Sequence, residues 1–183
     1  MRLMSDTEIH APLLPILVCP DPKLRRHARA VTEADREEVA ALIPSMFETM
    51  YKAPGIGLAA PQVGKLLRVV TIDLAPEKTP QPIVLINPEI IGASEETAVQ
   101  EEGCLSVPEQ YAEVVRPARV KVRYLDEHWQ KRELEAEGLM AACVQHEIDH
   151  LDGVLFVDHL SSLKRNILLR KLAKAQKELA GRK

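Results

Sequence analysis

Residues 146–150 read His-Glu-Ile-Asp-His, an H-E-x-x-H pattern. Positions i and i+4 of a helix share a face, so His146 and His150 can reach one metal ion while Glu147 stands beside it, placed to handle a proton on water. Asp149, in the same turn, reads as an outer contact rather than a ligand. A catalytic metal also needs a third protein ligand and an open position. The chain follows a longer zinc-protease pattern, H-E-x-x-H-x-x-G-x-x-H, as far as Gly153, but Phe156 stands where its third histidine belongs, which excludes that class. His159 comes three residues too late, beyond the helix stop, and reads as a surface or packing histidine. The acids near the C-terminus sit too far along to serve as a glutamate ligand from a following helix.

A cysteine is the remaining soft donor. Cys104 lies in Glu102-Gly103-Cys104-Leu105-Ser106, in a turn between predicted strands, and Cys143 precedes His146 by three residues on the same predicted helix. Spacing alone does not choose between them. Cys143, in Ala141-Ala142-Cys143-Val144, has the surroundings of a small buried hydrophobe, and Cys19 beside Pro20 reads the same way. A third segment, Gly55-Ile56-Gly57-Leu58-Ala59-Ala60-Pro61-Gln62, is built of small residues that let backbone approach closely, and Gln62 brings an amide that both donates and accepts. It lacks the lysine and glycine spacing of a phosphate loop.

The elements that position these residues follow from periodicity. Val39, Leu42, Ile43, Met46, Phe47 and Met50 recur at helical spacing, which predicts a helix over about 33–52 that Thr32 and Asp35 begin and Pro54-Gly55 ends. Pro44 falls inside it and predicts a kink or break. Residues 66–74, 82–91, 118–126 and 131–138 carry β-branched runs or alternation and predict short antiparallel strands. Residues 139–151 predict a buried helix stopped by Asp152-Gly153. A last helix, about 161–180, has Leu163, Ile167, Leu168, Leu172 and Leu179 on one side, and a basic set of Lys164, Arg165, Arg170, Lys171, Lys174 and Lys177 continuing to Arg182 and Lys183. The expected fold is α+β, with the apolar 139–151 helix packed against an antiparallel sheet and a C-terminal covering helix, in a single domain over 1–183 whose first ten or so residues form a flexible leader.

Composition limits the function classes. At 183 residues with 46% hydrophobic and 28% charged, the chain can bury a sizeable core. A net charge of -3 argues against general nucleic-acid binding by the whole molecule. Three cysteines in a chain of this length argue against a disulfide framework and for a reducing compartment. No apolar stretch approaches the roughly 20 residues of a membrane span, and the polar N-terminus has no signal-peptide core, so the cytoplasm is expected.

Taken together and in this order, GIGLAAPQ, EGCLS and QHEIDHLDG resemble the three signature motifs of the peptide deformylases, and the resemblance runs over nearly the whole chain after the leader. The C-terminal helix makes the chain most similar to the bacterial type. The resemblance implies antiparallel sheets around a helix that carries two histidine ligands, and a metal held by Cys104, His146 and His150. It implies one divalent metal, Fe(II) in the cell, with Ni, Co or Zn as alternatives among which the sequence does not choose. The reaction implied is hydrolysis of the formyl group from the N-terminal formylmethionine of nascent polypeptides, with release of formate. Glu147 would move the proton, and Gln62 and the Leu105 backbone N–H would stabilise the oxyanion.

Gly55, Ile56, Gly57, Leu139, Ala142 and Cys143 would bind substrate, the methionine side chain in an apolar pocket and the peptide backbone as an added strand. The ribosome near the exit tunnel is the implied partner of the basic helix. Arg116 matches a family arginine with a structural role. The chain departs from the commonest bacterial pattern at Tyr111, at Gln100, where an apolar pocket neighbour is expected, and at Pro44. Two rivals follow from the same residues: a metallopeptidase, because H-E-x-x-H also serves peptide hydrolysis, and a non-catalytic ribosome-binding module. The intact set of Gln62, Cys104, His146, Glu147 and His150 speaks against the second.

Overall fold

The central strands of the main sheet carry side chains toward two different cores. The computed structural model describes residues 11–183, and the leader expected over the first ten residues lies outside them. Five strands, β1 (Gly57–Ala59), β2 (Val69–Ile72), β3 (Ile83–Ala93), β6 (Arg119–Leu125) and β7 (Lys131–Glu137), form an antiparallel sheet in the order β1-β2-β3-β6-β7. Val70, Ile72, Leu85 and Val122 point to one face and meet Val144, Ile148 and Leu151 of helix α2 (Gly138–Leu151). Val69, Val84 and Ile86 point to the other and meet Val39, Leu42, Met46 and Met50 of helix α1 (Arg36–Lys52). Because β2 and β3 are covered on both faces, they read as continuous apolar runs, as the sequence did.

The remaining strands, β4 (Thr97–Cys104) and β5 (Val107–Pro117), make a separate two-stranded hairpin joined by only Leu105 and Ser106. Helix α3 (Ser162–Ala180) rests beside it, and Leu168 and Leu172 share a core with Val107, Val114 and Phe156. The apolar side expected of this helix is narrower than its sequence suggests: Leu163 is 71% exposed, and Ile167 and Leu179 are exposed as well.

Two expectations change. Helix α1 runs through Pro44 without a break. Pro44 lies on the exposed face while Val39, Leu42, Met46 and Met50 are clamped in the core, so the backbone acceptor it strands faces water. The hairpin strands β4 and β5 and the three-residue β1 were not among the predicted strands. In β4 and β5 the usual alternation is mixed: Val99, Tyr111 and Val115 are exposed, while Glu102 and Arg116 are buried along with Val107 and Val114.

The stop after α2 depends on Gly153, whose φ of +75° favours glycine and where an added Cβ would stand 2.5 Å from the Arg25 carbonyl oxygen. Gly153→Ala is therefore expected to destabilise by about 2–3 kcal/mol, lowering the melting temperature by about 4–10 °C. Calorimetry at fixed metal content checks this, and an unchanged melting temperature would show that the Arg25 segment yields without cost.

Candidate metal centre

Helix α2 is enclosed by the sheet on one side and the hairpin on the other, so its polar residues must be satisfied by what the hairpin presents. His146, Glu147 and His150 are all buried. Cys104, the last residue of β4, is brought against them by the tight Leu105-Ser106 connection. Ligand-type atoms of Cys104, His146 and His150 all lie within 4.8 Å of one another. Cys104 Sγ is 3.3 Å from His150 Nε2, which is 3.3 Å from His146 Nε2.

The donor set fits a divalent metal. One sulfur and two imidazole nitrogens suit the borderline first-row ions, and three protein donors leave a position open. The opposite nitrogen of His146, Nδ1, lies 3.1 Å from Glu102 Oε1. A carboxylate acceptor places the hydrogen on Nδ1 and frees Nε2 to ligate. Burial pushes His150 well below the usual imidazole range, which keeps its ring neutral. Its Nδ1 is buried without a hydrogen-bond partner, so Nε2, directed at the cluster, is the nitrogen with company.

Glu102 belongs to a buried ion pair. Arg116 Nε donates to Glu102 Oε2 at 2.9 Å and Oε1 at 3.2 Å. Against the upward push of burial, the bonds to His146 and Arg116 hold Glu102 below the usual carboxylate range, so it stays ionised. Arg116 thus lies beside the site, where the resemblance implied a structural role for it. The role of Glu102 was not foreseen. Its only signal was a glutamate two residues before a candidate ligand, and strand alternation puts residues i and i+2 on one face.

Gln62, in the 3-10 turn Ala60–Val63, is 1% exposed. Its Oε1 accepts from the Ala59 backbone N–H at 2.9 Å, which directs Nε2 toward Ser106 Oγ at 3.1 Å and Cys104 Sγ at 3.6 Å. Ser106 is a second residue that sequence reasoning missed. Glu147 faces the short strand β1: a Cβ on Gly57 would stand 2.6 Å from Glu147 Oε1 and 3.0 Å from Cys143 Sγ, so glycine there permits the approach. Glu147 Oε2 is buried without a partner, and burial pushes the carboxyl up to about 7.

These groups open on a cavity of about 800 Å³. Gln62, Cys104, Leu105, His146 and Glu147 line it, as do Gly55, Ile56, Gly57, Leu139, Ala142 and Cys143, with Leu139 half exposed at its mouth. Gln100 and Tyr111 line it too, so two of the departures from the family pattern bear on the cavity. Cys143 stands outside the Cys104–His146–His150 cluster, and burial holds its thiol well above the usual range, in keeping with a packing cysteine. Cys19 is likewise buried and its thiol raised by burial. His159 is not in the cluster either, and lies 2.8 Å from Asp149.

Fold and site together define an α+β protein with a cluster of sulfur and imidazole donors, able to hold a metal ion, beside a cavity. The family model for polypeptide deformylase matches residues 13–166. A peptide deformylase of Mesorhizobium japonicum is 54% identical over 170 residues, covering 92% of this chain and 96% of that protein. The crystal structure of a peptide deformylase from Legionella pneumophila superposes with a TM-score of 0.87 at 48% identity, covering 94% of this chain and 99% of that one. A peptide deformylase from Synechococcus elongatus, solved in complex with actinonin, gives a TM-score of 0.82 at 45% identity over 86% of each chain. The chain belongs to the polypeptide deformylase family.

Glu102→Gln keeps the shape and an acceptor for His146 but drops the charge, and is expected to weaken metal affinity about 10-fold. Competition with a chromophoric chelator measures it, and wild-type affinity would show the charge to be immaterial.

Proposed function

We propose that this chain removes the formyl group from the N-terminal formylmethionine of nascent polypeptides, releasing formate and a free α-amine. One observation carries the reading: in a chain of this family, Cys104 Sγ and the Nε2 atoms of His146 and His150 converge beside Glu147, with the Gln62 amide on the wall of the same cavity. Cys104, His146 and His150 would hold one divalent ion, Fe(II) in the cell. Bound there, it supplies Lewis acidity and a nucleophilic water near neutral pH.

The chain's own groups do the rest. Glu147 takes the proton of the attacking water and returns it to the leaving amine, so one buried carboxylate serves as base and then acid. Gln62 Nε2, aimed by the Ala59 N–H to Oε1 bond, donates to the formyl oxygen as negative charge develops there, and the Leu105 backbone N–H donates beside it. Gly55, Ile56, Gly57, Leu139, Ala142 and Cys143 form the substrate wall, with the methionine side chain against its apolar part. A formyl hydrogen is small, and a tight site of this kind rejects an acetylated terminus by size.

The substrate is cytoplasmic, and we place the protein there, acting as one catalytic domain over its length. Among the described residues no helix is long and apolar enough to cross a membrane. The basic face of α3 is proposed to dock on ribosomal RNA phosphates near the exit tunnel.

Formate release from a formyl-Met tripeptide by anaerobically purified protein tests the reading, with the acetyl-Met peptide and an unblocked longer peptide in parallel. Release from the formyl peptide alone is expected. Cleavage of the longer peptide would favour a metallopeptidase, and no release from metal-loaded protein would leave a non-catalytic module. Glu147→Ala is expected to retain metal and lose turnover by on the order of 10²-fold or more; a near-normal rate would remove its proton-transfer role. Cys104→Ser is expected to weaken or change metal binding, and full stoichiometry at unchanged affinity would point to another ligand.

A further inference from the structure

The hydrogen-bonded chain that ends on His146 does not begin at Glu102. Arg116 turns Nε toward Glu102 and donates from Nη1 to Asp149 Oδ2 at 2.8 Å. The same Oδ2 lies 2.8 Å from His159 Nε2. His159 closes the 3-10 turn Phe156–His159, which follows α2 and leads into α3. Side-chain exposure rises along the series, from 7% for Glu102 and Arg116 to 24% for Asp149 and 33% for His159. An unbroken line of polar contacts therefore joins the surface to a candidate metal-binding imidazole, and its outer members have no part in the proposed reaction.

The chemistry of the contacts fixes their direction. A carboxylate oxygen only accepts, so His159 Nε2 carries a hydrogen and donates to Asp149. Nη1 of Arg116 is 3.4 Å from the same nitrogen, and since both are then donors this is a contact without a hydrogen bond. Nε2–H exists in one neutral tautomer and in the imidazolium, so the clamp holds whether or not the ring is charged. Asp149 Oδ2 thus takes two donors at once. His159 restricts where that oxygen sits, and the oxygen restricts the Arg116 guanidinium, whose rigid planar fork passes the constraint to Glu102.

We propose that His159 is a positioning residue of the metal centre: by pinning Asp149 Oδ2 against Arg116, it holds the guanidinium in the orientation that presents Glu102 to His146 Nδ1. This rests on the assignment of His146 as a ligand in the preceding reading. A side chain that merely tied the turn to α2 would affect folding stability and leave the metal's surroundings unchanged.

The full-length Co(II)-loaded protein separates these cases through its visible absorption spectrum, its rate of metal loss to excess chelator, and kcat and KM on a formyl-Met peptide. His159→Leu removes the donor. Metal loss is expected to be about 3- to 10-fold faster, below the effect typical of a group bonded directly to a ligand, with a displaced Co(II) spectrum and a lower kcat at unchanged KM. His159→Gln restores an N–H donor and is expected to recover most of each. If the leucine variant does not fold, Asp149→Asn, which replaces the charged acceptor, should give the same displacement.

Wild-type spectrum and metal loss in His159→Leu would overturn the proposal, as would a glutamine variant no better than the leucine one. If His146→Ala binds Co(II) with the wild-type spectrum and the wild-type rate of metal loss, the assignment of His146 as a ligand fails, and the role of His159 with it. That failure is visible in the wild-type and His146-variant spectra before any His159 variant is made.

Discussion

Burying two imidazoles and a carboxylate on one face of a helix is the constraint that organises this molecule. Each such group loses water and must regain a partner or be held for use, because an unpaired polar group in the interior costs several kcal/mol, of order 2–7 for neutral groups. Helix α2 meets this demand unevenly. His146 is bonded to Glu102, which is bonded to Arg116, which is bonded to Asp149 on the same helix, so a loop of partners runs out through the hairpin and back. Glu147 Oε2 and His150 Nδ1 are left without partners. On this helix the unsatisfied atoms belong to two of the residues proposed to act on substrate or metal, where strain in the bonding balance is expected; a third such atom, Arg116 Nη2, lies in the ion pair beside them.

The hairpin explains why the site is precise without being large. Cys104 and Glu102 stand two residues apart on β4 and so share its inward face, one turned to the metal cluster and the other to the far side of His146. Arg116 comes from the paired strand, where Ala98 opposes it and Ala112 opposes Glu102, small partners that leave room for both long side chains. A buried ion pair of this kind contributes little to stability once desolvation is counted. Its value lies in orientation: replacing it with apolar residues would leave the imidazole free to turn.

The main sheet serves the site from the opposite side. Strand β1 has three residues, all buried, and its Gly57 lets Glu147 and Cys143 approach the backbone closely. The 3-10 turn that follows immediately carries Gln62, so one short run of small residues both closes the cavity wall and fixes an amide over it. Helix α1 lies on the far face of the sheet, where its core also meets Leu105, and Pro44 on its exposed face does not line the cavity.

Much of this was legible in the residues. The i, i+4 histidines, the apolar α2 around them and the double-sided runs of β2 and β3 each declare themselves by periodicity, since burial on known faces imposes a period on the chain. The hairpin was not legible, because its inward positions mix Glu102 and Arg116 with Val107 and Val114 and its outward ones include Val99 and Val115, so the alternation that marks a strand is blurred. β1 was too short and too rich in small residues to carry any pattern. Spacing along the chain also left both Cys104 and Cys143 open, although the surroundings of Cys143 read as those of a packing residue, and the resemblance to a family resolved the choice. In three dimensions, turn geometry carries Cys104 to the histidines, while Cys143, three residues from His146 in sequence, lies outside their cluster. Local sequence determined which groups could do chemistry and which helix held two of them. Contacts between residues more than 40 positions apart decided the third candidate donor, the partner of His146 and the hydroxyl that the Gln62 amide meets, because convergence on a point is a property of packing and leaves no period behind.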